Sequence, residues 1–336
     1  MGGDHGVSVV VPGAIEGART FDVALRLVGD PALITPVLDS IDTSNLDVEI
    51  LPASDVIGMD EHPAQAVRRK PQSSIVVALR AVKDGAADAA VSAGNSGAMM
   101  AGSLMILGRI PGIERPAIAS YMPSARSRTL VLDLGAVTDP KPLNLVQFAL
   151  MGKVYAERVL ERSDPTIGLL SNGEEPTKGN QLVQQVYPLL VQTSGIRFHG
   201  NVEGKDVAMG TVDIVVTDGF TGNVVLKTAE GVATMLTDIL REELTNSLPR
   251  RVAAFLLRPA FRAVRQRLDY AEIGGAPLLG IDGTVIIAHG RSNERAICNA
   301  VGVARRSAEQ QLIEGIRSAL EEGRAATEAA VGAETV

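Results

Sequence analysis

The chain has 336 residues, a net charge of −7, 46% hydrophobic and 3% aromatic residues, no Trp and one Cys. That length suits one large α/β unit or two lobes sharing a cleft, with a core of Val, Leu, Ile and Ala as in sheets covered by helices on both faces. The acidic balance argues against nucleic-acid binding, and the lone Cys298 excludes an internal disulfide, speaks against a cysteine metal cluster and fits a reducing cytoplasm.

Met1-Gly2-Gly3-Asp4-His5 reads as the turn between a strand and a helix with no strand before it, which favours an upstream start. It lacks the basic-then-apolar layout of a signal peptide, and Gly6 stands where a myristoylation signal needs Ser or Thr. No apolar run approaches the ~20 residues of a membrane span. Apolar patterning places strands near 24–28, 47–51, 87–92, 116–121, 128–134, 166–170, 212–217 and 284–288. Helices are expected near 63–69, 73–83, 96–107, 142–161, 178–193, 222–245 and 293–322. This alternation implies a mainly parallel, doubly wound sheet. We expect a single α/β domain over 1–322, a helical hairpin inserted at about 248–270 and a frayed tail at 323–336.

The densest chemistry lies at 213–228. The run Ile214-Val215-Val216-Thr217 stops at Asp218-Gly219, Gly222-Asn223 follow, and an apolar-periodic segment opens. A strand emptying into a glycine turn at a helix start is where open α/β sheets bind ligands, and exposed N–H groups there favour an anion. Gly94-Asn95-Ser96-Gly97 has the same design, so two turns point to phosphate, although Asn95 and Ser96 equally suit a plain capped helix start. Neither is a Walker loop, a Gly-x-Gly-x-x-Gly fingerprint or a Gly-x-Ser-x-Gly elbow. Lys141, Lys178 and Lys227 each follow a strand, and at one sheet edge they would form a cationic cleft. His5, His199 and His289 lack metal-ligand spacing, so neither metal nor cofactor is expected.

Several segments together carry a resemblance. They are Met1-Gly2-Gly3-Asp4-His5, Ala66-Val67-Arg68-Arg69-Lys70, Ser92–Ala98, Lys178-Gly179-Asn180, Gly200-Asn201-Val202-Glu203, Val216–Asn223, Gly274-Gly275-Ala276 and Ala288-His289-Gly290. In this order they resemble the bacterial phosphate acyltransferase of phospholipid synthesis, from residue 1 to about 310. The resemblance implies a three-layer α/β/α fold like that of phosphotransacetylases, with the sheet architecture of isocitrate dehydrogenases. It also implies the reaction acyl–[acyl carrier protein] + phosphate ⇌ acyl phosphate + carrier protein. A membrane glycerol-3-phosphate acyltransferase would consume the product, and a homodimer is implied. Two positions depart from the family pattern: Val137 replaces a common Asn, and Asn172 sits one place along in its turn. The family's short apolar strand before Met-Gly-Gly-Asp is also missing here.

Acyl transfer to phosphate needs the anion held ~3–3.5 Å from the thioester carbonyl and donors for the developing oxyanion. We assign phosphate to Gly94, Asn95, Ser96, Gly97, Gly219 and Gly222, with Lys141 and His289 beside it. Lys178, Asn201, Asp218 and Asn223 form the expected catalytic set, the two Asn as amide donors and Asp218 orienting Lys178 or a water. Residues 94–97, 178 and 219–223 must then converge. Cys298 lies on an expected C-terminal helix without a partnering base, so it is not read as a nucleophile.

Residues 248–268 hold six arginines and no acid, with apolar residues at helical spacing; Pro249 suits a helix start and Pro259 a break. Phe255, Leu256, Phe261, Arg258, Arg262 and Arg265 are expected to touch an anionic membrane surface, placing the protein in the cytoplasm with peripheral membrane contact. An ordinary packing hairpin with solvated arginines is the plainer alternative. Arg68-Arg69-Lys70 suits an acidic carrier protein, a phosphate or a solvated helix end. Competing functions are a phosphotransacetylase using acyl-coenzyme A, a nicotinamide-dependent dehydrogenase by architectural analogy, and a membrane-recruited scaffold.

Overall fold

The computed structural model describes residues 2–125, 128–261, 264 and 274–333. In chain order the first elements are α1 (Val7–Phe21), β1 (Leu25–Gly29), α2 (Pro31–Leu38), β2 (Val48–Pro52), α3 (Pro63–Arg69), α4 (Ser74–Lys83), β3 (Ala89–Ser92) and α5 (Ser96–Ile106). β4 (Ala117–Pro123), β5 (Arg128–Leu132), α6 (Pro142–Val159), β6 (Thr166–Leu170), α7 (Gln181–Gln192), β7 (Arg197–Val202), α8 (Gly204–Met209), β8 (Ile214–Val216) and α9 (Gly219–Thr245) follow. α10 (Leu248–Leu256), β9 (Ala276–Leu279), β10 (Thr284–Ile287), α11 (Glu294–Glu309) and α12 (Leu312–Ala333) complete the described chain.

Eight strands form one sheet in the order β3-β10-β9-β4-β5-β8-β6-β7, and β1 pairs with β2 in a separate parallel pair. Side chains alternate between the faces as the strand period of two requires. Leu130, Leu132, Ile214 and Val216 enter one cluster with α6, whereas Val131 and Val215 enter the opposite one. Val285 and Ile287 pack towards α4 and α5, Ile286 towards α1 and α11. The result is three layers, α/β/α. α6 is buried from Asn144 to Gly152 without interruption, because the sheet lies on one side and α12 on the other.

Strand direction reverses partway across the sheet. β10 pairs parallel with β3, but β9 runs antiparallel to both β10 and β4, and β4 antiparallel to β5. β5, β8, β6 and β7 are then mutually parallel. The carboxyl ends of β3 and β10 therefore leave one edge, and those of β5, β8, β6 and β7 the other. Lys141, Lys178 and Lys227 do follow strands that end at one edge. Gly94–Gly97 and His289 leave the opposite one, contrary to the expected common exit.

Other departures from the sequence reading are local. α1, α2, α8, β7 and β9 were not foreseen. The segment 293–322 is two helices, α11 and α12, interrupted at Gln311 in left-handed conformation (φ 49°). α7 starts only at Gln181, because Gly179 (φ 97°) turns the chain and Asn180 caps the helix by accepting from Val183 N–H at 2.9 Å.

Candidate active site

The β5, β8, β6 and β7 edge is organised by Asp133, a residue the sequence reading passed over. It is fully buried and accepts four backbone N–H groups: Ile118, Gly135 and Ala136 on Oδ1 at 2.9, 3.2 and 3.0 Å, and Val137 on Oδ2 at 2.7 Å. Burial raises its carboxyl above the ordinary carboxylate value, and the four N–H groups pull it back down. The first turn of α9 lies directly on this clamp. Gly219 N–H donates to Val137 C=O at 2.8 Å. A Cβ at Gly219 would stand 2.6 Å from Asp133 Oδ2, and one at Gly222 would overlap the Asp133 carbonyl oxygen. These glycines serve close helix-to-turn approach. Asp218 caps α9: Oδ1 accepts from Thr221 N–H at 2.8 Å and Oδ2 from Thr221 Oγ1 at 2.7 Å. It therefore shapes the turn, with lone pairs left on both oxygens. Asn223 is exposed on the first turn, facing Gly135.

The next loop, from β6 to α7, carries Lys178. Asn172 Oδ1 holds Gly179 N–H at 2.9 Å, and the Lys178 stem packs over Gly173 while its head is exposed. Lys178 makes no ion pair among the described residues. Asn201, on β7, is 3% exposed, and its Nδ2 donates to Glu175 C=O at 2.8 Å. The expected amide donor is thus partly spent on the loop. Its buried Oδ1, like Ser171 Oγ just past β6, has no hydrogen-bond partner among the described residues. Glu174, Glu203 and Asp206 bring carboxylate oxygens together nearby, but Lys205 bridges Glu203 and Glu174 at 2.6 and 3.2 Å, satisfying the charge internally.

At the opposite edge, Asn95 is a structural cap. Its Oδ1 accepts from Ala98 N–H at 2.9 Å and its Nδ2 donates to Gly58 C=O at 2.9 Å, leaving Ser96 exposed beside it. Gly94 packs against Gly2, and Asp4 N–H donates to Gly290 C=O at 2.9 Å, joining the amino-terminal turn to the His289 turn. α9 spans the two clusters. It opens on Asp133, and by Lys227 and Glu230 it has reached the electrostatic surroundings of His289, together with Arg291 and Asp4. Arg291 N–H donates to His289 Nδ1 at 3.2 Å, so the neutral ring carries its proton on Nε2. Burial, reinforced by the Lys227 ammonium, holds His289 below the ordinary imidazole value. A depressed base stabilises the fold above the unfolded value near ~6.5, and that contribution is lost as pH falls towards the lower folded value. Lys227→Met should therefore raise the His289 midpoint in an NMR titration; a midpoint left in place would disprove the coupling.

The remaining candidates are distributed around these clusters. Lys141 is exposed at the start of α6 and lines a separate cavity. Lys70 Nζ bonds Glu61 Oε1 at 2.6 Å and Val56 C=O at 2.8 Å; Arg68 and Arg69 are exposed. Cys298 is buried, and burial pushes its thiol up, away from thiolate chemistry. Beyond Glu230, α9 and α10 stand away from the sheet with Met235, Leu236, Ile239, Phe255 and Leu256 exposed. α10 opens with Pro249 in its first turn, and a turn at Leu257 precedes helical backbone at 258–261. Arg258 is exposed and Phe261 half-buried, whereas Arg262 and Arg265 lie outside the described residues. Arg250 pairs with Glu243 at 2.6 Å, an acid supplied by α9. No described helix is long and apolar enough to cross a membrane.

Comparison with known proteins adds an independent line. A family model described as "Fatty acid synthesis protein" matches residues 1–315. The phosphate acyltransferase of Desulfitobacterium hafniense (strain Y51) is 49% identical over 329 residues, 98% of each chain. That of Heliobacterium modesticaldum is 49% identical over 318 residues, 94% of this chain and 95% of the relative. Among solved structures, a phosphotransacetylase from Streptococcus pyogenes has a TM-score of 0.59 at 16% identity, covering 89% of this chain and 91% of its own. The EutD phosphotransacetylase from Staphylococcus aureus has a TM-score of 0.57 at 15% identity, covering 89% and 90%. At such identities these two speak for the fold alone. Near-complete coverage at 49% identity does more: the chain belongs to the phosphate acyltransferase family and is a transferase enzyme.

Proposed function

We propose that the enzyme forms acyl phosphate from acyl–[acyl carrier protein] and inorganic phosphate, the product feeding glycerol-3-phosphate acylation in phospholipid synthesis. The observation that carries this reading is the shared edge. There the Asp133 clamp fixes the amino terminus of α9 beside the loop bearing Lys178, which makes no ion pair among the described residues. Phosphate sits beside the Gly219–Asn223 turn, drawn by the positive end of α9 and by Lys178, and Gly94–Gly97, which leave the opposite edge, drop out of its site. One of its oxygens attacks the thioester carbonyl, the C–O bond forms, and the carbonyl electrons collect as an oxyanion near Lys178 and Asn223. Collapse of that oxyanion expels the carrier's thiolate, which takes its proton from solvent. No covalent enzyme intermediate is needed.

Trapping with hydroxylamine tests the proposal. Acyl hydroxamate should accumulate with acyl-carrier-protein donor only when phosphate is present. A rate that does not depend on phosphate would sink it, and equal kcat/KM with acyl-coenzyme A would favour the phosphotransacetylase alternative. The exposed apolar residues of α9 and α10, with Arg251 and Arg258, support a homodimer along the arm and contact of its tip with anionic lipid. Failure to sediment with anionic liposomes at low salt would remove the membrane contact.

A further inference from the structure

A cavity of about 570 Å³ opens beside the turn between β5 and α6, at the same edge as the acyl-transfer turn. Its walls carry Arg109, Arg115 and Lys141 against Glu114 and Asp139. Glu114 is already engaged. Its Oε2 accepts from Asn144 Nδ2 at 3.0 Å, its N–H donates to Gln147 Oε1 at 3.0 Å, and its carbonyl accepts from Arg109 Nη1. Gln147 Nε2 also donates to Gly112 C=O at 2.8 Å, so two side chains of α6 fix the loop in place. Arg115 and Lys141 make no ion pair among the described residues. The cavity is thus a rigid frame presenting two uncommitted cations.

The loop from Gly135 to Lys141 connects this cavity to the Asp133 clamp, and its Val137 carbonyl is the one that Gly219 N–H holds. Arg109, Arg115, Asp139 and Lys141 are all exposed at its rim. A reacting phosphate needs a close, water-poor site against the thioester. A wide, open and basic cavity one loop away suits instead the far end of a long acyl donor, where remote binding energy positions the reacting end.

We propose that this cavity binds the phosphate ester of the acyl donor's prosthetic arm, while the phosphate that becomes acylated occupies the Gly219–Asn223 turn. The proposal rests on the acyl-phosphate reading above. It moves Lys141 from the reacting phosphate to the donor.

Two synthetic donors test it, an acyl-phosphopantetheine thioester and the acyl-pantetheine thioester lacking the phosphate. The wild-type enzyme should prefer the phosphorylated donor about tenfold or more in kcat/KM, as a charge-assisted contact of ~1.4 kcal/mol or more requires. Arg115→Gln with Lys141→Gln should bring that preference close to one, with a smaller change in the KM for inorganic phosphate. A preference that survives the double substitution overturns the proposal. So does a KM for phosphate that rises equally with both donors, since the cavity would then hold the second substrate. Absence of phosphate-dependent acyl hydroxamate in the wild type would strike the underlying reading instead, and the two failures are separable.

Discussion

Gly222→Ala should reduce phosphate-dependent acyl transfer by at least ~100-fold and destabilise the fold by ~1–3 kcal/mol. The added Cβ would occupy the space of the Asp133 carbonyl oxygen, so either α9 or the β5 turn must move. The β5 turn cannot give way easily. Asp133 is fully buried and holds four backbone N–H groups, and releasing any of them strips a donor from a buried carboxyl at ~1–3 kcal/mol. The helix must shift instead, carrying with it Asn223 and the turn proposed to face phosphate. Gly231→Ala is the matched control on the same helix, where a Cβ meets nothing within 4 Å. It should be neutral or stabilising, by up to ~1 kcal/mol of helix propensity. Thermal unfolding and single-turnover rates read both effects. Wild-type turnover in Gly222→Ala would show that this turn is not where transfer occurs.

Lys178→Ala should lower kcat by ~10²–10³-fold with an unchanged melting temperature. Its head is exposed and makes no ion pair among the described residues, so truncation removes neither a buried partner nor a charge the fold relies on. Exposed lysines contribute little to stability. A cation facing a developing oxyanion, by contrast, acts on the transition state alone, and kcat should fall more than KM rises. Lys178→Arg should restore part of the rate, because charge is kept while its position changes. Full activity in Lys178→Ala would remove this lysine from the chemistry.

The central strands were readable because they are apolar, β-branched and buried on both faces, as at Ile214–Val216. β7 was not: Arg197-Phe198-His199-Gly200 is an edge segment with polar outward residues. β9 is short and contains Pro277, which periodicity demotes. α1 was obscured by its valines and by Pro12. The turns at Gly94–Gly97 and Gly219–Asn223 were legible as helix starts. Their exit from opposite edges was not, since only pairing reveals that β9 and β4 reverse direction. Asp133 looked like an ordinary strand end in Leu132-Asp133-Leu134-Gly135, because its role lies in four backbone donors that no side-chain motif encodes. Arg109 and Arg115 meet Lys141 only through the fold. Asn95 takes the cap role that its place at a helix start also suggested, and Asp218 caps α9 in the same way.

α9 has one further consequence for how the molecule works. Its 27 residues amount to a rod of about 40 Å, bolted at one end by Gly219 and Gly222 and exposed along most of its remainder. Lys227 and Glu230 pass His289 on the way. An unbroken hydrogen-bonded ladder joins the greasy outer end to the turn proposed to hold phosphate. Under the proposed function, docking at the arm and acyl transfer at the sheet edge would lie at the two ends of one helix.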